Sequence, residues 1–154
     1  MTVIVGFRLL KTRYGLRGAA LSMVNGEMVT ALNDHTNNLL DLIREDYSDW
    51  HMASRTVHQN AEEFARAIDI RESMIEDFNE GLTFEKGRKY LKIISSRRNG
   101  QRCVWGFVVA CTNDKKFQFG DILKAGGWAA PARNFSRGNV FKLGARRFRW
   151  SGCI

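Results

Sequence analysis

Ten consecutive residues, Arg102 to Cys111, constrain the fold more than any other stretch of the chain. Counted with the period of two that a strand imposes, Cys103, Trp105, Phe107, Val109 and Cys111 share one face, and Val104, Gly106, Val108 and Ala110 share the other. Both faces are apolar, so this strand belongs in the middle of a sheet covered on both sides. Its expected partner is the preceding run, Lys89 to Ser95, joined through a turn centred on Asn99-Gly100, a two-residue hairpin signature. Phe117 to Phe119 and Asp121 to Ala125 continue the pattern around Gly120, and Arg146 to Trp150 reads as a final strand.

Upstream the period changes. Leu39, Leu40, Ile43 and Tyr47 recur at helical spacing after Asn33 and Asp34, either of which suits an N-cap. A second helix start is better marked, because Asn60 is followed three residues later by Glu63, as in a capping box. From there Phe64, Ile68, Ile75, Phe78 and Leu82 mark one face, and Gly81 is a natural stop. Before the helices, Val3 to Leu10 reads as a strand, and Arg17 to Val24 with Glu27 to Leu32 reads as a β-hairpin turning at Asn25-Gly26. The expected class is α+β: an N-terminal β-hairpin, a helical middle segment and a C-terminal antiparallel sheet. Residues 1–85 would hold the first strands and the helices, and residues 86–154 the β-rich remainder, together in one compact unit.

Charge follows the same divisions. The net charge of +8 conceals +4 in residues 1–26, −9 in residues 27–80 and +13 in residues 81–154. A basic balance favours polyanionic partners, and here it resides mainly in the C-terminal strands and loops. The acidic helices most simply form a solvated face, and they could also mimic nucleic acid or cover the basic segment. No run approaches the roughly 18 apolar residues of a membrane span, and residues 1–11 lack the basic start and cleavage site of a signal peptide. The expectation is therefore a cytoplasmic protein with unpaired cysteines and no membrane partner.

The run from Lys89 to Asn139 carries a resemblance. Lys89-Tyr90-Leu91-Lys92-Ile93 is followed by Arg102, Val104 and Phe107-Val108, then Gly120-Asp121-Ile122-Leu123-Lys124-Ala125, Trp128, Ala130-Pro131-Ala132-Arg133 and Arg137-Gly138-Asn139. It resembles a short module that recurs in uncharacterised proteins of tailed bacteriophages. Gly126 and Gly127 stand where that module would carry a second Ala and a Ser. The resemblance implies a phage-encoded accessory protein in bacterial cytoplasm, where nucleic acid and host proteins are abundant partners, and it implies no particular activity.

Basic residues of the last segment alternate with aromatics, a mixture suited to holding phosphates while stacking on bases. Arg97, Arg98 and Arg102 surround the hairpin tip, where a two-stranded ribbon would enter a groove of duplex DNA. Lys115 and Lys116 precede Phe117, and Trp128 is followed by Arg133 and Arg137. Arg146, Arg147, Arg149 and Trp150 close the chain, with Arg147 and Arg149 on one face of the expected strand. Each alone has an ordinary explanation, since arginines on a strand aid solubility and tryptophans pack at core rims. Together they point to a nucleic-acid-binding face for DNA or RNA, with single strands slightly favoured. Neutralising about six phosphates of a duplex would give log affinity against log salt a slope of roughly −5.

Nothing in the sequence announces catalysis. His35, His51 and His58 lack the spacing of a metal helix and read as surface or packing residues. Cys103 and Cys111 lie too far apart along one strand to chelate an ion and read as buried free thiols. Glu62-Glu63 and Glu76-Asp77 are adjacent on helices, where neighbours diverge by about 100°, so neither pair chelates magnesium as a unit for a nuclease. No nucleotide-binding glycine loop occurs. The leading expectation is thus a non-enzymatic nucleic-acid-binding protein without cofactor. The alternative is an inhibitor or adaptor that presents its acidic helices to a host or defence protein, and the opposed charges also allow a homo-oligomer.

Overall fold

The computed structural model describes residues 19–53, 57–145 and 148–153, with side chains described from residue 26 onward. Two helices, α1 (Ala19–Ala53) and α2 (Ala61–Gly81), precede five strands: β1 (Leu82–Lys86), β2 (Tyr90–Ser96), β3 (Arg102–Val109), β4 (Asp121–Lys124) and β5 (Gly138–Asn139). All neighbouring strands pair antiparallel in the order β1-β2-β3-β4-β5, and a short 3-10 helix, Val140–Lys142, follows. The class is α+β, with β3 in the centre of the sheet as its doubly apolar pattern requires.

The expected N-terminal hairpin is corrected. Asn25-Gly26 lies inside α1, a continuous helix of 35 residues. The stripe of Leu32, Thr36, Leu39, Leu40, Ile43 and Tyr47 is buried, and its helical spacing runs through Asn33 and Asp34, which cap nothing. The Thr36 hydroxyl donates to the Leu32 carbonyl at 2.7 Å, so its buried oxygen is satisfied within the helix. The helix thus extends N-terminally beyond its buried stripe and takes in the turn signature. The expected strand over residues 3–10 lies outside the described residues. Gly26 is exposed, and a methyl group added to it would meet nothing within 4 Å. Gly26→Ala is therefore expected to stabilise the fold by roughly 0.5–1 kcal/mol, read as a higher urea midpoint at unchanged slope.

The second helix begins where its sequence says. The Asn60 side chain accepts from the Glu63 N–H at 2.9 Å, and the Glu63 carboxylate accepts from the Gln59 N–H at 3.1 Å. Its far end is held by Arg44 of α1, which donates to the carbonyls of Asn79 (3.2 Å) and Leu82 (2.9 Å), as suits a cation at a helix C-terminus. Of the expected apolar face, Phe78 and Leu82 are buried, Ile68 and Ile75 are half-buried, and Phe64 is exposed.

One face of the sheet packs on the helices. Leu91, Ile93, Trp105, Val108 and Ile122 join Leu32, Leu39, Leu40, Ile43, Tyr47 and Phe78 in a core that also takes in Phe148 and Cys153. Phe107, Val109 and Leu123 face the other way and are covered by Phe117, with Tyr90, Val104, Cys111 and Ala125 against them. A β-bulge corrects the period-two count along β3. The register passes from Ile93↔Gly106 to Ile94↔Val104, which leaves Trp105 as the extra residue. Trp105 is thereby placed with Val108 against the helices, while Val104 joins Phe107 on the opposite face. Two other expected strands are not seen among the described residues. Residues 117–119 are irregular, and Arg149 bridges Gly152 in a tight turn, with Arg146 and Arg147 outside the described residues.

Candidate nucleic-acid interface

The tip of the β2–β3 hairpin turns as expected at Gly100, whose φ of 85° suits glycine. Asn99 keeps negative φ, so the turn is not the two-residue form: the Gly100 N–H donates to the Arg97 carbonyl at 2.9 Å, and the Arg97 N–H to Gln101 at 2.8 Å. Both tip arginines lie on the helices. Arg97 stacks over the rings of Tyr47 (5.4 Å) and Phe78 (5.2 Å) and stands 3.9 Å from Asp77. Arg98 reaches Glu76 at 3.3 Å, Glu80 at 3.5 Å and Asp77 at 3.6 Å, and its backbone N–H donates to Asp77 at 3.0 Å. These carboxylates hold the Arg98 guanidinium above its ordinary pKa, its hydrogen bond with Glu76 contributing most. Part of the acidic helix therefore neutralises part of the basic hairpin within one chain.

Arg102 faces elsewhere. It pairs with Glu85 of β1 at 2.7 Å, and Lys92, directly across from Glu85 in the sheet, stands 3.9 Å from the same carboxylate. Both cations lie over the indole of Trp128, Lys92 at 4.6 Å and Arg102 at 5.3 Å from the ring centre. Trp128 is 47% exposed. Its loop is shaped by Gly126 and Gly127, whose N–H groups converge on the Ala130 carbonyl at 3.0 and 3.1 Å, and by a bridge between Ala125 and Pro131. Neither Lys92 nor Glu85 stands out in the sequence as a binding residue. Register supplies the missing signal, since Glu85 and Lys92 become neighbours only once β1 is paired with β2.

Arg133 ties three segments together. It makes a two-pronged pair with Asp114, both contacts at 2.9 Å, and also donates to the Tyr90 hydroxyl. Asp114 further accepts from the N–H groups of Lys116 (2.9 Å) and Phe117 (3.0 Å), and its side chain is only 7% exposed. These bonds, the Arg133 pair foremost, hold its carboxyl well below the usual carboxylate range. A carboxyl so depressed contributes stability fully above its unfolded pKa of about 3.9 and loses it as pH falls through the folded value. Asp114→Asn is therefore expected to lower stability by a constant amount between neutral pH and about pH 5. Below about pH 4 the gap to the parent should narrow, which urea titrations across that range would show.

The remaining basic residues differ in their surroundings. Lys116 donates to the Arg133 carbonyl at 2.7 Å, Lys115 is exposed, and the Arg137 guanidinium lies 3.8 Å from the ring centre of the 53% exposed Phe135. Trp150 packs edge-on against Tyr47 at 5.1 Å and tilts against Trp50 at 5.2 Å, and its backbone N–H donates to the Asp46 carboxylate at 2.9 Å. Arg149 is exposed, and its carbonyl accepts from the Trp105 indole at 2.9 Å. Trp128, Arg102 and Lys92 are thus brought together, whereas Arg97 and Arg98 belong to the helix–hairpin junction and Trp150 to the aromatic cluster beside it.

Among the described residues no group of three or more His, Cys, Asp or Glu is placed to hold a metal ion. His51 is buried between Tyr47 and Trp50, and burial, with Arg71 and Arg97 nearby, lowers its pKa. His35 rests against Phe141. The three cysteines are free, but Cys103 is exposed and Cys111 only half-buried, which corrects the expectation that both thiols are buried. The bulge at Trp105 breaks the parity that put them on one face. Cys153 is the buried thiol, and burial pushes its pKa up. No described helix is long and apolar enough to cross a membrane.

Fold and site together define an α+β protein with a helix-covered sheet whose other face bears a cation-flanked tryptophan. The chain belongs to a family of unknown function (DUF7717), which matches residues 21–153 and so takes in both helices and the whole sheet. No curated protein and no solved structure matches it.

Proposed function

We propose that this is a non-enzymatic accessory protein of a tailed bacteriophage that binds nucleic acid in the bacterial cytoplasm. Its binding face is the side of the sheet turned away from the helices, with single strands preferred. The observation that carries the reading is Trp128, half exposed beside the side-chain cations of Lys92 and Arg102. An aromatic face next to two cations provides stacking for a base and charge for the phosphates on either side of it. Lys115, Lys116 and Arg137 add positive charge on the neighbouring loops, and Arg133 positions those loops. The phage assignment rests on the order of motif residues from Lys89 to Asn139.

Anisotropy titrations with labelled single-stranded and duplex oligonucleotides at two salt concentrations test this reading. Trp128→Ala is expected to weaken single-strand binding by about tenfold, within the roughly 1–3 kcal/mol that base–aromatic stacking contributes. Glu85→Gln, which releases Lys92 and Arg102 from their shared carboxylate, should tighten binding and steepen its salt dependence. Arg98→Ala should leave affinity nearly unchanged, because that guanidinium is engaged by α2. Absence of binding to every oligonucleotide at low salt would refute the reading.

A further inference from the structure

A groove of about 650 Å³ runs between the end of α1 and the C-terminal half of α2, away from the tryptophan face. Its lining pairs apolar Met52 and Ile75 with the carboxylates of Asp69, Glu72, Glu76 and Glu80. The Asn79 side chain also lines it, and its buried Oδ1 accepts no hydrogen bond. Glu76 and Glu80 already hold one guanidinium, that of Arg98. Asp69 and Glu72, three residues apart on the same helix, make no ion pair among the described residues. The lining therefore combines acceptors in excess of donors with apolar contacts, and its Met52 is 61% exposed.

From this complementarity we infer that the groove is a docking site for a segment of a partner protein in which arginine alternates with apolar residues. An arginine of that segment would pair with Asp69 and Glu72, as Arg98 does with Glu76 and Glu80. An adjacent leucine or methionine of that segment covers Met52 and Ile75. Apolar burial gives the contact its strength, and the carboxylates select the sign of the partner's charge. The inference does not depend on the nucleic-acid reading, which uses the opposite face of the sheet.

The experiment is a titration of the full chain with a short labelled amphipathic peptide of arginine and leucine, beside a peptide of the same composition in scrambled order. Expected is saturable one-to-one binding that weakens at least tenfold in Asp69→Lys/Glu72→Lys and in Met52→Asp. These residues are at the surface, and an unaltered melting curve would show that the variants remain folded. Equal binding of the scrambled peptide, or indifference to the Asp69→Lys/Glu72→Lys pair, would overturn the proposal. So would either of two rival occupants. A groove that accepts peptide only after Arg8, Lys11, Arg13 and Arg17 are changed to serine would be filled by the chain's own first residues. A sedimentation mass that rises with concentration and falls back in Glu72→Lys would assign the groove to a second copy.

Discussion

Gly81→Ala is expected to destabilise the protein by about 3 kcal/mol or more, at or above the upper end of the range for overpacking. Gly81 is the last residue of α2, and Leu82 is at once the cap of the helix and the first residue of β1, its N–H donating to the Phe78 carbonyl. With no loop between helix and strand, the backbone of Gly81 lies directly against that of β2. A Cβ there would stand 1.8 Å from the Ser96 carbonyl oxygen and 2.8 Å from its carbon. Neither neighbour is the flexible end of a side chain, so either the helix end or the strand must shift. In a chain of this length such a loss corresponds to a fall in Tm of roughly 6–12 °C. A melting temperature within a degree or two of the parent would show that the junction is looser than described.

Phe78→Ala is expected to cost about 3–5 kcal/mol, the range for removing a fully buried aromatic. Phe78 is 1% exposed, stacks on Tyr47 at 4.0 Å, meets Trp150 at 6.4 Å and lies under the Arg97 guanidinium. Its removal opens a cavity where α1, α2, the hairpin tip and the C-terminal turn meet. Phe64→Ala is the informative contrast. By sequence it lies on the same helix face, yet it is 52% exposed, and its truncation should change stability by no more than about 0.5 kcal/mol. Urea unfolding of both variants measures the difference. Comparable losses would mean that the core extends along the whole of α2.

The contrast shows how far helical periodicity reaches. It identifies the face of α2 that can be buried, but which turns of that face find a partner depends on the sheet and on α1. The same limit applies to glycine. Gly81 marks the end of the helix in the sequence, and its backbone has none of the positive φ values of a glycine stop. It is glycine because another strand passes too close for a Cβ.

The candidate site was legible in part. The expected hairpin tip points to Arg102 and the interleaving of aromatic with basic residues points to Trp128, yet the two are 26 positions apart in sequence and only pairing of the strands and folding of the Gly126-Gly127 loop bring them together. Arg97 and Arg98 carried the same basic signal and met a different fate, because the hairpin tip rests on Glu76, Asp77 and Glu80. Charge counts along the chain revealed the opposed segments and left open which members of each would neutralise one another.

By itself the sequence determined the α+β class, the central position of β3, the β2–β3 hairpin and the start of α2 at Asn60. Each of these rests on patterns spanning a few neighbouring residues: two apolar faces, a turn glycine, a side chain that caps its own helix. Only the tertiary structure decided that α1 runs through Asn25-Gly26, that a bulge turns Trp105 toward the helices, and that the hairpin arginines lie on α2 while Arg102 lies beside Trp128. In each of these the outcome depends on atoms distant in the chain. A helix anchored by its buried stripe from Leu32 onward continues back through a local turn preference, one extra residue reverses the parity of a strand, and a carboxylate on another element determines where a cation comes to rest.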